Sequence, residues 1–214
     1  MNETLSRLVD SGVVAVLRGV EADQLIGITE ALREGGVTAV EITADTPNVA
    51  EKLGEVAGSF DDEVVVGTGT VLDSETARTT LMAGAEFVVS PSLHGDVIET
   101  CNRYGAVSAP GVMTPTEAVR GYEAGADFVK VFPAKTVGPA HLGAIQGPLG
   151  QIPMMPTGGV GPGNAADYID AGAFAVGAGG ALVDYDAAAR GDYEAITETA
   201  REFVQVVEDA RADH

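Results

Sequence analysis

Eight short apolar bursts punctuate the chain: VVAVLR from 13, TAVEIT from 38, VVVGTG from 64, EFVVS from 86, AVSAP from 106, DFVKVF from 127, IPMMPT from 152 and AFAVGA from 173. Their starts fall 20 to 26 residues apart, the span of one strand plus one helix. Helix-like segments lie between them, such as DQLIGITEALREGG, DSETARTTLMAGA, TPTEAVRGYEAGA and GNAADYIDAGA. Four junctions, EGGVTAV, AGAEFVV, AGADFVK and AGAFAVG, pass from a small-residue glycine turn straight into a strand. Glycine there supplies a left-handed helix C-cap and a short connection. Thr114 with Pro115 and Glu117, and Asp73 before Ser74 and Glu75, mark helix starts. Eight alternating units predict an α/β protein, a single (β/α)8 TIM barrel of parallel strands over residues 1–214, with an N-terminal helix at about 2–11. The competing architecture is an open doubly wound sheet. It calls for G-x-G-x-x-G after the first strand, where this chain has LRGVEAD.

Composition narrows the setting. The 214 residues carry 32 Asp and Glu against 12 Lys and Arg, a net charge of −20. Nucleic acid and anionic membrane need a positive face and are excluded as expected partners. The acids are dispersed between the apolar bursts, which predicts a self-repelling coat that is screened at molar salt. No apolar run is long enough to span a membrane, and MNETLSRLVDSG lacks a signal-peptide layout, so the expected location is cytoplasmic. One cysteine, Cys101, reads as a buried filler and excludes an internal disulfide. The histidines, His94, His141 and His214, have no metal-ligand spacing; no metal and no cofactor are expected.

The chemistry starts from DFVKVFPAK. Alternation along a strand puts Phe128, Lys130 and Phe132 on one face and Val129 and Val131 on the other. Lysine is rarely buried without a reason, because its ammonium is costly to take out of water. In a parallel barrel, reactive groups gather at the C-terminal ends of the strands. Arg18, Glu41, Thr70 and Pro91 all fall there, with Lys130 and Phe132. Burial and a nearby cation both disfavour an ammonium, and a neutral amine attacks ketones to form a Schiff base. Glu41 then has the place of a proton carrier. A structural ion pair between Lys130 and Glu41 accounts for the same residues without chemistry. Arg18 reads equally as a lid charge, and Lys135, beyond Pro133, as a solvated loop residue. Glycine-rich turns follow the last two strands: Thr157, Gly158 and Gly159 in TGGVGPGN, and Gly179 and Gly180 in VGAGG. Such turns hold phosphates in many barrels and also occur wherever a chain must bend tightly.

Taken in order, VAVLRG, AVEIT, VGTGTVL, VVSPSLH, APGVMTPTEA, VKVFPAK with VGP, PTGGV and VGAGGALV resemble the bacterial class I aldolases of 2-keto-3-deoxy-6-phosphogluconate and 4-hydroxy-2-oxoglutarate, including the 6-phosphogalactonate branch. The resemblance runs from about residue 10 to about 205. It implies an eight-stranded barrel, a homotrimer, and reversible cleavage of a 2-keto acid to pyruvate and an aldehyde. By position it makes Lys130 the Schiff-base lysine and Glu41 the general acid/base. Thr70 and Arg18 become carboxylate contacts, Pro91 and Phe132 pocket walls, and Gly158 and Gly159, with Thr157, Gly179 and Gly180, the phosphate side. Two departures stand out. Asp45 occupies the place where gluconate-type members commonly carry an arginine, and Gly180 stands where a serine is usual.

The expected activity is a metal-independent lyase acting on a small-molecule 2-keto-3-deoxy-6-phospho sugar acid, of gluconate or galactonate type, and giving pyruvate and glyceraldehyde 3-phosphate. Two rivals use the same residues: a phosphate-binding barrel isomerase or synthase without covalent attachment, and a non-catalytic sugar-acid binder. A 4-hydroxy-2-oxoglutarate aldolase is the alternative within the family.

Overall fold

Two charged residues alone, Glu41 and Lys130, interrupt the apolar and small residues from which the strands are built. In this computed structural model, which describes residues 2–212, the chain runs α1 (Glu3–Ser11), β1 (Val13–Leu17), α2 (Ala22–Glu34), β2 (Ala39–Thr43), α3 (Val49–Phe60), β3 (Val65–Gly69), α4 (Ser74–Met82), β4 (Phe87–Val89) and α5 (Gly95–Tyr104). It continues β5 (Val107–Ala109), β6 (Gly111–Val112), α6 (Pro115–Glu123), β7 (Val129–Val131), α7 (Ala134–Leu149), β8 (Met154–Pro156), α8 (Pro162–Asp170), β9 (Val176–Ala178), α9 (Tyr185–Ala189) and α10 (Glu194–Ala212). Met1, Asp213 and His214, at the ends of the 1–214 span, lie outside the described residues.

All pairings are parallel. A curled six-stranded sheet has the order β5-β4-β3-β2-β1-β9, and a three-stranded sheet the order β6-β7-β8. The expected fifth strand is therefore two. Pro110 has no N–H to give to a ladder, so the run breaks there. The half before Pro110 pairs with β4 and the half after it with β7. A single parallel bridge, Thr157 to Gly177, joins the ends of β8 and β9.

Strands with apolar side chains on both faces must be covered on both. On the inner face Val14, Ala39, Val65, Phe87, Val107, Phe128 and Met155 pack together, drawing on both sheets. On the outer face Val13, Val40, Val66 and Val129 pack with helix residues such as Leu32, Leu53 and Phe203. Local signals place the helices. Thr114 and Glu117 form a reciprocal capping box ahead of α6, and Asp73 accepts from the Thr76 amide ahead of α4. Gly84 (φ 114°) and Gly125 (φ 94°) take the left-handed turn into the next strand, as the AGA junctions require. Asn2 caps α1, whose span matches the expected N-terminal helix. Lys135 lies on the first turn of α7 and not on a loop; that helix is kinked at Gly138 (φ 74°, ψ 173°). None of the described helices is long and apolar enough to cross a membrane.

Candidate active site

The inner face narrows where three glycines leave room for a neighbour's side chain. A Cβ at Gly67 would stand 2.4 Å from the Phe87 ring, one at Gly177 2.3 Å from the Thr157 hydroxyl, and one at Gly69 only 1.7 Å from Glu41 Oε1. Phe87 thus forms a floor, with Glu41 and Thr157 above it on the side of the strand ends. Glu41 is fully buried and Lys130 is 5% exposed. The Lys130 Nζ lies 3.9 Å from Glu41 Oε1 and 5.0 Å from the centre of the Phe132 ring. Neither Glu41 oxygen makes a hydrogen bond among the described residues, nor does the Thr157 hydroxyl. Burial pushes the Glu41 carboxyl above its usual range, outweighing the downward pull of Lys130 and of Arg18. The protonated form of this acid is therefore favoured more than it would be in water.

Gly69→Ala is expected to force the Glu41 carboxylate aside. Turnover should fall by about a hundredfold, as for other displacements of roughly 1 Å, while crowding costs about 1–3 kcal/mol of stability. Steady-state kinetics and a melting curve check this; full turnover in the variant would refute the role given to Gly69.

Above this pair lies the polar rim. Arg18 Nη2 donates to Thr70 Oγ1 at 3.0 Å, and Nη1 is paired with Asp45. Thr70 itself has φ 58°, an uncommon value for a β-branched residue and a small store of strain. Pro91 and Phe132 wall a cleft of about 100 Å³ with Gly111 and Met113, and Thr70 with Asp45 lines a hollow of about 210 Å³. Larger hollows of about 480 and 490 Å³ lie elsewhere, beside Arg211 and beside Pro148, and hold none of these groups.

Over residues 5–199 the chain matches the sequence model of the KDPG and KHG aldolases. It belongs to that aldolase family. The 2-dehydro-3-deoxy-6-phosphogalactonate aldolase of Escherichia coli K12 is 34% identical over 171 residues, 79% of this chain and 83% of that one. The KHG/KDPG aldolase of the same strain is 33% identical over 201 residues, 94% of each chain. Among solved structures, the KDPG aldolase of Legionella pneumophila, with pyruvate captured as a covalent carbinolamine, is 28% identical with a TM-score of 0.86, covering 93% of this chain and 97% of that one.

In this aldolase the residues singled out in the sequence fall into three groups. Lys130, Glu41 and Phe132 meet at the centre, Arg18 and Thr70 join at the rim, and Thr157 with Gly158 and Gly159 borders Phe132: a Cβ at Gly158 would be 3.1 Å from its ring. Gly179 approaches Val16 O, and Gly180 opens to solvent with nothing within 4 Å of a Cβ. The structure adds three residues. Gly69 makes room for Glu41. Asp45 pairs with Arg18, so that arginine is not free to act on a carboxylate alone. Tyr185, from α9, accepts from the Arg18 amide and donates to Val16 O, each at 3.4 Å. The β1–β2 register, Leu17 opposite Ile42, is the signal that brings Asp45 near Arg18. Nothing local in the sequence announces Tyr185. Burial pushes the Cys101 thiol up to about 12, in keeping with an inert filler. No three His, Cys, Asp or Glu side chains cluster as metal ligands among the described residues.

Proposed function

We propose that this chain is a Schiff-base aldolase that cleaves a 2-keto-3-deoxy-6-phospho sugar acid, of gluconate or galactonate type, to pyruvate and glyceraldehyde 3-phosphate. The observation that carries the reading is the buried lysine 3.9 Å from a buried, unbonded carboxylate. Lys130 Nζ adds to the C2 ketone, and Glu41 relays protons as the carbinolamine loses water. The iminium withdraws the electrons of the C3–C4 bond, Glu41 takes the C4 hydroxyl proton, and the aldehyde departs. The resulting enamine is protonated at C3, and water releases pyruvate and restores the amine. Arg18 and Thr70 bind the substrate carboxylate, for which Arg18 must loosen its hold on Asp45. Pro91 and Phe132 wall the pocket, and the turns at Thr157, Gly158 and Gly159 and at Gly179 and Gly180 lie at the far end.

The same reading takes the two sheets as one closed eight-stranded barrel in a single domain. It is supported by Pro110, which links β5 to β6 and whose carbonyl accepts from the Lys130 amide at 2.9 Å, and by the Thr157–Gly177 bridge. A homotrimer is what the family resemblance implies, and a preference for high salt follows from the charge of −20. Both E. coli relatives match at similar identity, so the epimer is a matter for assay. Borohydride reduction with pyruvate should leave a stable three-carbon adduct on Lys130, read by peptide mass. Pyruvate release should be measured from the gluconate- and galactonate-derived keto acids and from 4-hydroxy-2-oxoglutarate. Cleavage without an adduct would overturn the covalent mechanism in favour of acid/base chemistry alone.

A further inference from the structure

The chain has three lysines, and two are committed. Lys52 is buried and donates to Val20 O at 2.7 Å; Lys130 is held beside Glu41. Lys135 is exposed and makes no ion pair among the described residues, although acids outnumber cations by 32 to 12. Its position is fixed nonetheless. The Lys135 amide donates to Gly158 O at 2.9 Å, and its side-chain stem crosses the next glycine: a Cβ at Gly159 would lie 2.5 Å from Lys135 Cβ and 2.8 Å from its Cδ. Gly158 in turn abuts the Phe132 ring, which faces the Lys130 amine. A continuous surface therefore leads from the reactive nitrogen across Phe132 and Gly158 to the Lys135 side chain. On its other side this turn touches the one after β9, since a Cβ at Gly161 would lie 3.2 Å from Ala181 Cβ.

Charge along the helix starts is consistent with an anion there. Helices α1 to α6, α9 and α10 each carry an acid in the first turn, which suits the partial positive charge of exposed amides. Among the described helices only α7 and α8, which start beside these two turns, have none. A lysine in such a turn opposes the amide charges, so helix stability does not explain it. At Gly180 the far side has no hydroxyl to offer, and the space around it is open.

Resting on the aldolase reading above, we propose that Lys135 binds the terminal phosphate of the substrate and sets the preference for phosphorylated over unphosphorylated 2-keto acids. Its flexible stem, laid over Gly159, aims a compact cation at the end of the substrate remote from Lys130. The test compares wild type, Lys135→Met and Lys135→Arg on a 2-keto-3-deoxy-6-phospho acid and on the same acid without phosphate. For Lys135→Met the ratio of the two kcat/KM values should drop about ten- to a hundredfold, mainly through KM, as expected for one lost charge-assisted hydrogen bond. Lys135→Arg should restore most of it, and the drop should shrink in high salt, where an exposed cation is screened. An unchanged ratio in Lys135→Met, or an arginine that restores nothing, overturns the proposal. Pyruvate trapping on Lys130, which involves no phosphate, separates the two readings. Trapping with an unchanged ratio removes the role of Lys135 alone. A wild type that traps no pyruvate removes the aldolase reading and this inference with it.

Discussion

Lys130→Met should abolish cleavage, with a loss on the order of 10⁴-fold or more, because no other amine can replace the nucleophile within the enclosed site. The other two lysines are unsuited: Lys52 is bonded to Val20 O, and Lys135 lies outside the central pair. Methionine keeps the length and apolar stem of lysine and removes the ammonium, so the inner face stays filled. It also leaves Glu41 buried without its cation. Its carboxyl should then rise further, since the pull that now opposes burial is gone. The variant should therefore fold, bind keto acid weakly, and give no borohydride adduct. Retention of both cleavage and adduct would mean that another amine carries the reaction.

For Glu41→Gln the expected loss is about 10²–10⁴-fold in kcat, the range for a positioned proton carrier. Wild-type activity should rise through an acid limb that lies above the ordinary carboxylate range, because burial raises Glu41 and the unprotonated form must accept the C4 hydroxyl proton. Glutamine removes that limb. Stability has its own pH dependence. A carboxyl raised in the folded state favours folding below its unfolded value of about 4.3 and loses that contribution as pH climbs through the folded value. Relative to wild type, Glu41→Gln should thus gain stability between about pH 4 and the raised value, in line with removal of a buried charge. Melting curves over that window, beside the pH profile of kcat, check both parts. An acid limb that survives in the variant would assign it to another group.

The rhythm of strands was legible because each strand is an apolar burst and four of them are entered from a glycine turn, which takes the left-handed geometry its sequence calls for at Gly84 and Gly125. Lys130 and Glu41 were legible for a different reason. They are charges midway along bursts whose other charges, Arg18, Glu86 and Asp127, fall at the ends, and alternation alone put Lys130 on one face with Phe128 and Phe132. What stayed hidden depends on neighbours in space. Gly69 sits in GTGT, which reads equally well as a tight turn; the β2–β3 register pairs it with Thr43, and the Glu41 side chain reaches into the place its Cβ would take. Asp45 could be seen to replace an arginine but not to pair with Arg18. The division at Pro110 stayed hidden because a proline between AVSA and GV reads as the end of a strand, whereas the chain goes on to pair with a second partner. Lys135 reads as a loop residue because it follows Pro133; α7 starts directly after that proline, at Ala134, bends at Gly138 and continues.

One detail far from the reactive amine bears on handling. Arg211, near the end of α10, donates to Val9 O at 2.7 Å and to Phe174 O at 2.5 Å, tying the last helix to the first and to the entry of β9. The last turn of α10 and the end of α1 accordingly lie together where the chain enters β1 and β9, at the opposite ends of the strands from Lys130 and Glu41. A fusion partner or a tether to a solid support joined at the last turn of α10 is expected to leave the far ends of the strands uncovered.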